Sequence, residues 1–205
     1  MWIKICGMTT PEAVSAALEA RVDAIGFVFA ESPRQLTPQR AARLAQAARG
    51  RLRCVAVTRH PAQATVDEIL SVFRPDLLQT DLSDLARLQL PAGLDLLPVV
   101  RDGDDVPATL PERILFEGPV SGTGVAGDWN AARRLARCAQ LVLAGGLNTA
   151  NVAAAIAAVQ PFGVDVSSGV ELRPGVKSPA EIVNFASAAR AASQAPAAMG
   201  AEDPA

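Results

Sequence analysis

Residues 140–171 read QLVLAGGLNTANVAAAIAAVQPFGVDVSSGVE, and this stretch decides the architecture. Two short aliphatic runs, 140–144 and 162–166, flank an Ala-rich segment of helical period at 148–159. That order is strand, helix, strand, the unit from which parallel sheets are built. Each run stops at small residues, Gly145-Gly146 after the first and Ser167-Ser168-Gly169 after the second. Working outward, the same alternation repeats along the chain. Strands are predicted near 2–6, 23–29, 52–58, 76–79, 94–100 and 113–117, and helices near 11–20, 38–49, 63–73, 82–89, 128–138 and 179–191. The fifth helix, within 102–110, is short or irregular, because Asp102-Gly103-Asp104-Asp105 reads as a loop. Thr10-Pro11, Thr37-Pro38 and Ser178-Pro179 each set a capping hydroxyl before a Pro at the first helical position. Asn148 is a candidate cap for the seventh helix. The pattern predicts an α/β fold, a closed (βα)8 TIM barrel in one domain over 1–192, with an open doubly wound sheet as the runner-up. The stretch 193–205 has no apolar period and is expected to be a disordered tail.

Composition agrees with that class and excludes others. Half of the 205 residues are hydrophobic while aromatics are only 4%, so the core must be aliphatic, as in a parallel sheet buried on both faces. A net charge of −2 offers no footprint for nucleic acid. The chain opens directly into Trp2-Ile3-Lys4-Ile5 without the pattern of a signal peptide, and no apolar run approaches the ~20 residues that span a bilayer. A cytoplasmic protein is expected. Cys6, Cys54 and Cys138 form no CxxC pair, and His60 is the single histidine. Neither a disulfide framework, a zinc site nor any metal centre is indicated. Acid–base chemistry would draw on Cys, Asp, Glu or Lys.

In a barrel of this kind the chemistry sits at the C-terminal ends of the strands, which reduces the chain to a short set of candidates. In the first strand Lys4 and Cys6 share a face, and Ile3 and Ile5 take the other. Lys4 and Cys6 then lie inside the barrel, where a lysine beside a thiol favours the thiolate and makes Cys6 a usable base or nucleophile. The same position also suits a small core cysteine, the commoner fate of a free thiol. Gly145, Gly146, Ser167, Ser168 and Gly169 close strands seven and eight, where barrel enzymes frequently seat a phosphate on backbone N–H groups and hydroxyls. The alternative there is a tight strand end. Glu117 closes the sixth strand after an apolar run, where partial burial would raise it into general-acid range; the alternative is a solvated loop acid. The Gly-rich stretch Ser121-Gly122-Thr123-Gly124 follows it. Arg34, in Glu31-Ser32-Pro33-Arg34, stands near the rim with a guanidinium suited to a carboxylate. His60 follows strand three, and Gln79 and Asp81 close strand four as possible pocket residues. Cys54 and Cys138 look structural.

Lys4-Ile5-Cys6-Gly7-Met8-Thr9, Ser32-Pro33-Arg34, Gly122-Thr123-Gly124 with Asp128-Trp129, Ala144-Gly145-Gly146-Leu147-Asn148, and Gly163 to Glu171 with Pro174-Gly175 and Lys177 resemble phosphoribosylanthranilate isomerase, the isomerase of tryptophan synthesis. The likeness runs in order from residue 3 to about residue 186. It implies an Amadori rearrangement of N-(5′-phosphoribosyl)anthranilate to the 1-deoxyribulose ketosamine, without metal or cofactor. It makes Cys6 the general base, seats the phosphate on Gly145, Gly146, Ser167, Ser168 and Gly169, and puts Arg34 near the anthranilate carboxylate. Lys4 and Asp165 are then substrate-pocket residues. The implied partner is a small phosphoribosyl substrate, with no nucleic acid and no membrane, and family members occur as monomers and as homodimers.

The chain departs from the family at three strand ends. The sixth closes with Leu115-Phe116-Glu117 where the family usually has Leu-Leu-Asp, so Glu117 takes the place of the general acid. The fourth has Gln79-Thr80-Asp81 in place of Gln-Leu-His-Gly, and the third has Val57-Thr58-Arg59 in place of Val-Asn. Two other functions compete. A histidine-pathway barrel isomerase acting on a substrate with two phosphates would want a carboxylate base ending strand one, where Cys6 stands, and a second phosphate grip in the first half of the barrel. A catalytically silent barrel that binds a phosphorylated metabolite is disfavoured because both proton-transfer positions carry titratable groups.

Overall fold

Eight parallel strands close on themselves in the computed structural model, which describes residues 1–119 and 127–195. They are β1 (Trp2–Cys6), β2 (Ala24–Val28), β3 (Arg53–Val57), β4 (Leu77–Asp81), β5 (Asp95–Arg101), β6 (Arg113–Glu117), β7 (Gln140–Leu143) and β8 (Gly163–Val166). Pairing of β1 with both β2 and β8 makes the sheet a barrel and removes the open-sheet alternative. The Gly-rich stretch 121–124 and all of the tail beyond 195 lie outside the described residues.

Strand alternation divides the apolar side chains into two groups. Val55, Leu77, Leu97, Val99, Leu115 and Val142 fill the barrel interior, with Ala24 and Ala144 at narrower places. Ile3, Ile5, Ile25, Phe27, Ile114, Leu141 and Val164 face outward into the much larger layer between strands and helices. That layer is covered by α1 (Pro11–Glu19), α2 (Pro38–Ala45), α3 (Gln63–Glu68), α4 (Trp129–Leu135), α5 (Val152–Val159) and α6 (Pro179–Gln194).

The predicted caps form. The hydroxyls of Thr10, Thr37 and Ser178 accept from the N–H groups of Ala13, Arg40 and Glu181 at 3.3, 3.3 and 3.2 Å. Asn148 does not cap α5. Its carboxamide oxygen accepts from Ala150 and Asn151 in a local turn, and the helix starts one turn later, after Asn151. An Asn whose side chain bonds its own following backbone offers the chain a turn in place of a helix. The predicted helix at 82–89 is only a 3₁₀ turn, Leu82–Asp84, where the Asp84 carboxylate bonds Thr80, His60 and Arg87. Segment 102–110 forms turns and no helix, as its Asp-Gly composition predicts. The last helix runs to Gln194, two residues beyond the expected domain end.

Candidate active site

A cavity opens at the C-terminal ends of the strands, and Cys6, Glu117, Arg34, Asp165, Gly145, Gly146, Ser167 and Ser168 all line it. The thiol predicted on the first strand and the acid predicted on the sixth therefore share one pocket with the small-residue loops. Gln79, Arg59 and Arg101 line it as well.

The floor is built on β1 and β8. Lys4 is fully buried and donates to Asp165 Oδ1 at 2.9 Å across the strand pair. Room for this inward lysine comes from Gly26 on β2, where a Cβ would stand 3.0 Å from Cys6 Sγ and 3.3 Å from Lys4 Cε. Burial would lower the Lys4 pKa, but the Asp165 carboxylate and the Cys6 sulfur outweigh it and keep the ammonium charged. Lys4 does pull the Cys6 pKa down, as expected, but the net shift is upward. Burial pushes the thiol up, the nearby Asp165 carboxylate adds to that rise, and the opposing pull of Lys4 and of Lys177 does not overcome them.

The loops after β7 and β8 meet, as the phosphate reading requires. Gly145 and Gly146 have φ of 87° and 65°, a region that side-chain-bearing residues rarely adopt. Gly169 packs so closely on the other loop that a Cβ there would lie 1.9 Å from the Leu147 carbonyl oxygen. Gly169 thus serves the approach of the two loops, and it is Ser167 and Ser168 that line the cavity. Beneath them Lys177, on the short strand Val176–Lys177, is buried and donates to Ser167 O at 2.9 Å and to Glu171 Oε1 at 2.8 Å. Burial lowers its pKa against the pull of Glu171.

Arg34 lines the cavity with its guanidinium already committed. Nε and Nη2 donate to the two oxygens of Glu171 at 2.7 and 2.8 Å, a bidentate pair that raises the arginine's pKa. Hydrogen bonds from Arg34 and Lys177 overcome the effect of burial on Glu171 and hold its carboxyl below the ordinary value. Glu171 belongs to a quoted motif, yet its service as the Arg34 partner, 137 residues away, has no local signature.

At the opposite wall Glu117 is ion-paired with Arg101, whose guanidinium also bonds Asp81. Arg101 is not among the predicted site residues, since the fifth strand is predicted to end at residue 100 and in fact continues to Arg101. The strand-end rule itself would have found it. Asp81 is 6% exposed and stands behind Arg101, outside the cavity lining. His60 is joined to two carboxylates. Its Nδ1 lies 3.0 Å from Asp84 Oδ1, and its Nε2 lies 3.3 Å from Asp81 Oδ2 without hydrogen-bond geometry. Cys54 is buried in β3 and pushed up to about 11, chiefly by burial, as suits a structural thiol. Cys138 is exposed in the turn after α4, so its structural reading is withdrawn.

Comparison with known proteins agrees with this geometry. Residues 3–188 match the family described as N-(5′-phosphoribosyl)anthranilate (PRA) isomerase. An N-(5′-phosphoribosyl)anthranilate isomerase of Rhizobium rhizogenes is 40% identical over 202 residues, covering 89% of this chain and 91% of that relative. One from Mesorhizobium japonicum is 40% identical over 209 residues, covering 93% and 95%. Among solved structures, TrpF from Jonesia denitrificans superposes with a TM-score of 0.79 at 35% identity, covering 95% of this chain and 98% of that one. A phosphoribosylanthranilate isomerase solved with reduced 1-(o-carboxyphenylamino)-1-deoxyribulose 5-phosphate superposes at 0.73 with 28% identity, covering 93% and 99%. With motif, fold and pocket in agreement along almost the whole length, the chain belongs to the N-(5′-phosphoribosyl)anthranilate isomerase family.

Proposed function

We propose that this chain carries out the family's Amadori rearrangement in the strand-end cavity, with Glu117 as general acid and Cys6 as general base. The acid gives its proton to the furanose ring oxygen, the bond from that oxygen to C1′ breaks, and an iminium forms. The base then removes the C2′ proton, and the resulting enolamine tautomerises to the ketosamine. Placement of both groups on one cavity is the observation that carries this reading. Proton transfer between positioned groups is worth ~100-fold to 10,000-fold each.

The substrate phosphate is assigned to the meeting loops, with Gly145, Gly146, Ser167 and Ser168 as donors and Gly169 permitting their approach. The buried Lys177 adds positive charge beneath that seat. Arg34 faces the anthranilate carboxylate with the Nη1 edge that Glu171 leaves over. Asp165 holds Lys4 and completes the wall beside Cys6. The small phosphoribosyl substrate is the only partner the site calls for. Among the described residues no helix is long and apolar enough to cross a membrane. We assign the enzyme to the cytoplasm, as a monomer or homodimer.

Loss of anthranilate-type fluorescence on adding substrate tests the reading. Cys6→Ser is expected to lower kcat by about 100-fold or more while leaving affinity for the reduced ketosamine within about twofold. Glu117→Gln is expected to abolish ring opening and Glu117→Asp to retain part of it. Near-normal turnover in Cys6→Ser or Glu117→Gln removes that residue from its role. Tight binding of the reduced ketosamine by an unmutated chain that turns nothing over favours the silent barrel instead.

A further inference from the structure

We propose that Arg101 is a positioning residue for the acid: anchored on Asp81, it holds the Glu117 carboxyl group in register for proton delivery. The proposal rests on Glu117 being that acid. It accounts together for two places where the chain departs from its family, the glutamate ending β6 and the aspartate ending β4.

The geometry follows from strand register. Val99 on β5 pairs with Asp81 of β4 on one side and with Leu115 of β6 on the other. Val99 and Leu115 belong to the packed barrel interior. Two residues on, Arg101 pairs with Glu117, so both occupy the same inward face one layer higher, at the mouth. The planar guanidinium spans three strands there, with Nη1 donating to Glu117 Oε1 and Nη2 to Asp81 Oδ1. The three side chains are only 12%, 14% and 9% exposed, so water screens the pairing weakly. His60, held by Asp84, stands 3.3 Å from the other Asp81 oxygen without a hydrogen bond to it.

A glutamate has one more rotatable bond than the aspartate usual at this position, and a free carboxyl on a longer arm samples many wrong places. Misplacement by ~1 Å costs on the order of 100-fold in rate. The rigid fork of an arginine removes that freedom, and the extra methylene supplies the reach by which the carboxyl meets it. When Glu117 passes its proton to the ring oxygen and the C1′–O bond breaks with its electron pair on that oxygen, the carboxylate left behind already has its counter-charge. Asp81 shares the same guanidinium, so the Arg101 charge is divided between two carboxyl groups and is not set against Glu117 alone.

Steady-state kinetics of Arg101→Met, Arg101→Lys and Asp81→Asn, with reduced ketosamine affinity as a control, test the idea. Arg101→Met is expected to lower kcat by about 10-fold or more, with KM and control affinity within about twofold, and Arg101→Lys to regain part of the loss. In the Glu117→Asp background, whose shorter arm falls short of Arg101, Arg101→Met is expected to cost less than about twofold. If Arg101→Met folds poorly, Asp81→Asn serves in its place, with a smaller loss of kcat at unchanged KM. Unchanged kcat in Arg101→Met, equal losses in the two backgrounds, or a rise of KM and control dissociation constant at constant kcat each overturn the proposal. Full activity of Glu117→Gln is a different failure, that of Glu117 as the acid.

Discussion

Cys6 is pulled in two directions. Withdrawal from water disfavours its thiolate, while Lys4 and Lys177 favour it, and burial is the larger effect. Its pKa therefore lies above the ordinary thiol value of about 8.5. A base acts in its deprotonated form, so kcat/KM is expected to keep rising with pH through the region where a free thiol would already be ionised. A plateau reached by pH 7 would contradict this. Alkylation rates give a second reading at neutral pH: exposed Cys138 reacts first, and the buried Cys6 and Cys54 lag behind it. Alternation along β1 was enough to turn Lys4 and Cys6 inward, because side-chain direction in a strand is a local property. The sign of the Cys6 shift was misjudged for a reason of the same clarity. It depends chiefly on the full burial of the thiol in the closed barrel, to which the charge of Asp165, 161 residues from Lys4, adds.

Elements show a similar division. Thr10, Thr37 and Ser178 cap their helices as predicted, since a cap is made within four residues. The stretch after β4, predicted as a helix, is one 3₁₀ turn that brings the buried Asp84 against Thr80, His60 and Arg87. Burial would raise the Asp84 pKa, yet hydrogen bonds from Thr80, His60 and Arg87 outweigh it and hold the carboxyl at about 2. Against an ordinary value of about 3.9 this is worth on the order of 2 kcal/mol. A depressed acid stabilises the fold above its unfolded-state pKa, so this contribution is intact above pH ~4 and is lost as pH falls towards 2. Asp84→Asn is expected to lower the urea midpoint at pH 7, with the gap to the unmutated protein narrowing between about pH 4 and 2. Equal midpoints at pH 7 would show that the cluster does not stabilise the β4 end.

Closure of the barrel joins the first strand to the last, and the Lys4–Asp165 pair sits on that seam. Removing one partner leaves a buried charge unanswered, so Lys4→Met is expected to cost about 3–5 kcal/mol in urea unfolding. Lys4→Met combined with Asp165→Leu should recover much of the loss while remaining inactive. A Lys4→Met chain as stable as the unmutated one would mean that the seam is held by its ladder and aliphatic packing alone. Period and punctuation along the chain were sufficient for the eight strands and six of the helices between them, for the face on which chemistry gathers and for the loops that end β7 and β8. Each of these is settled within a few residues by backbone geometry, caps and side-chain alternation. The partners of the charges were not readable in that way. Arg34 with Glu171, Lys4 with Asp165, and Arg101 between Asp81 and Glu117 meet only because a closed sheet sets distant strand ends side by side, where low exposure makes every ion require its counter-ion.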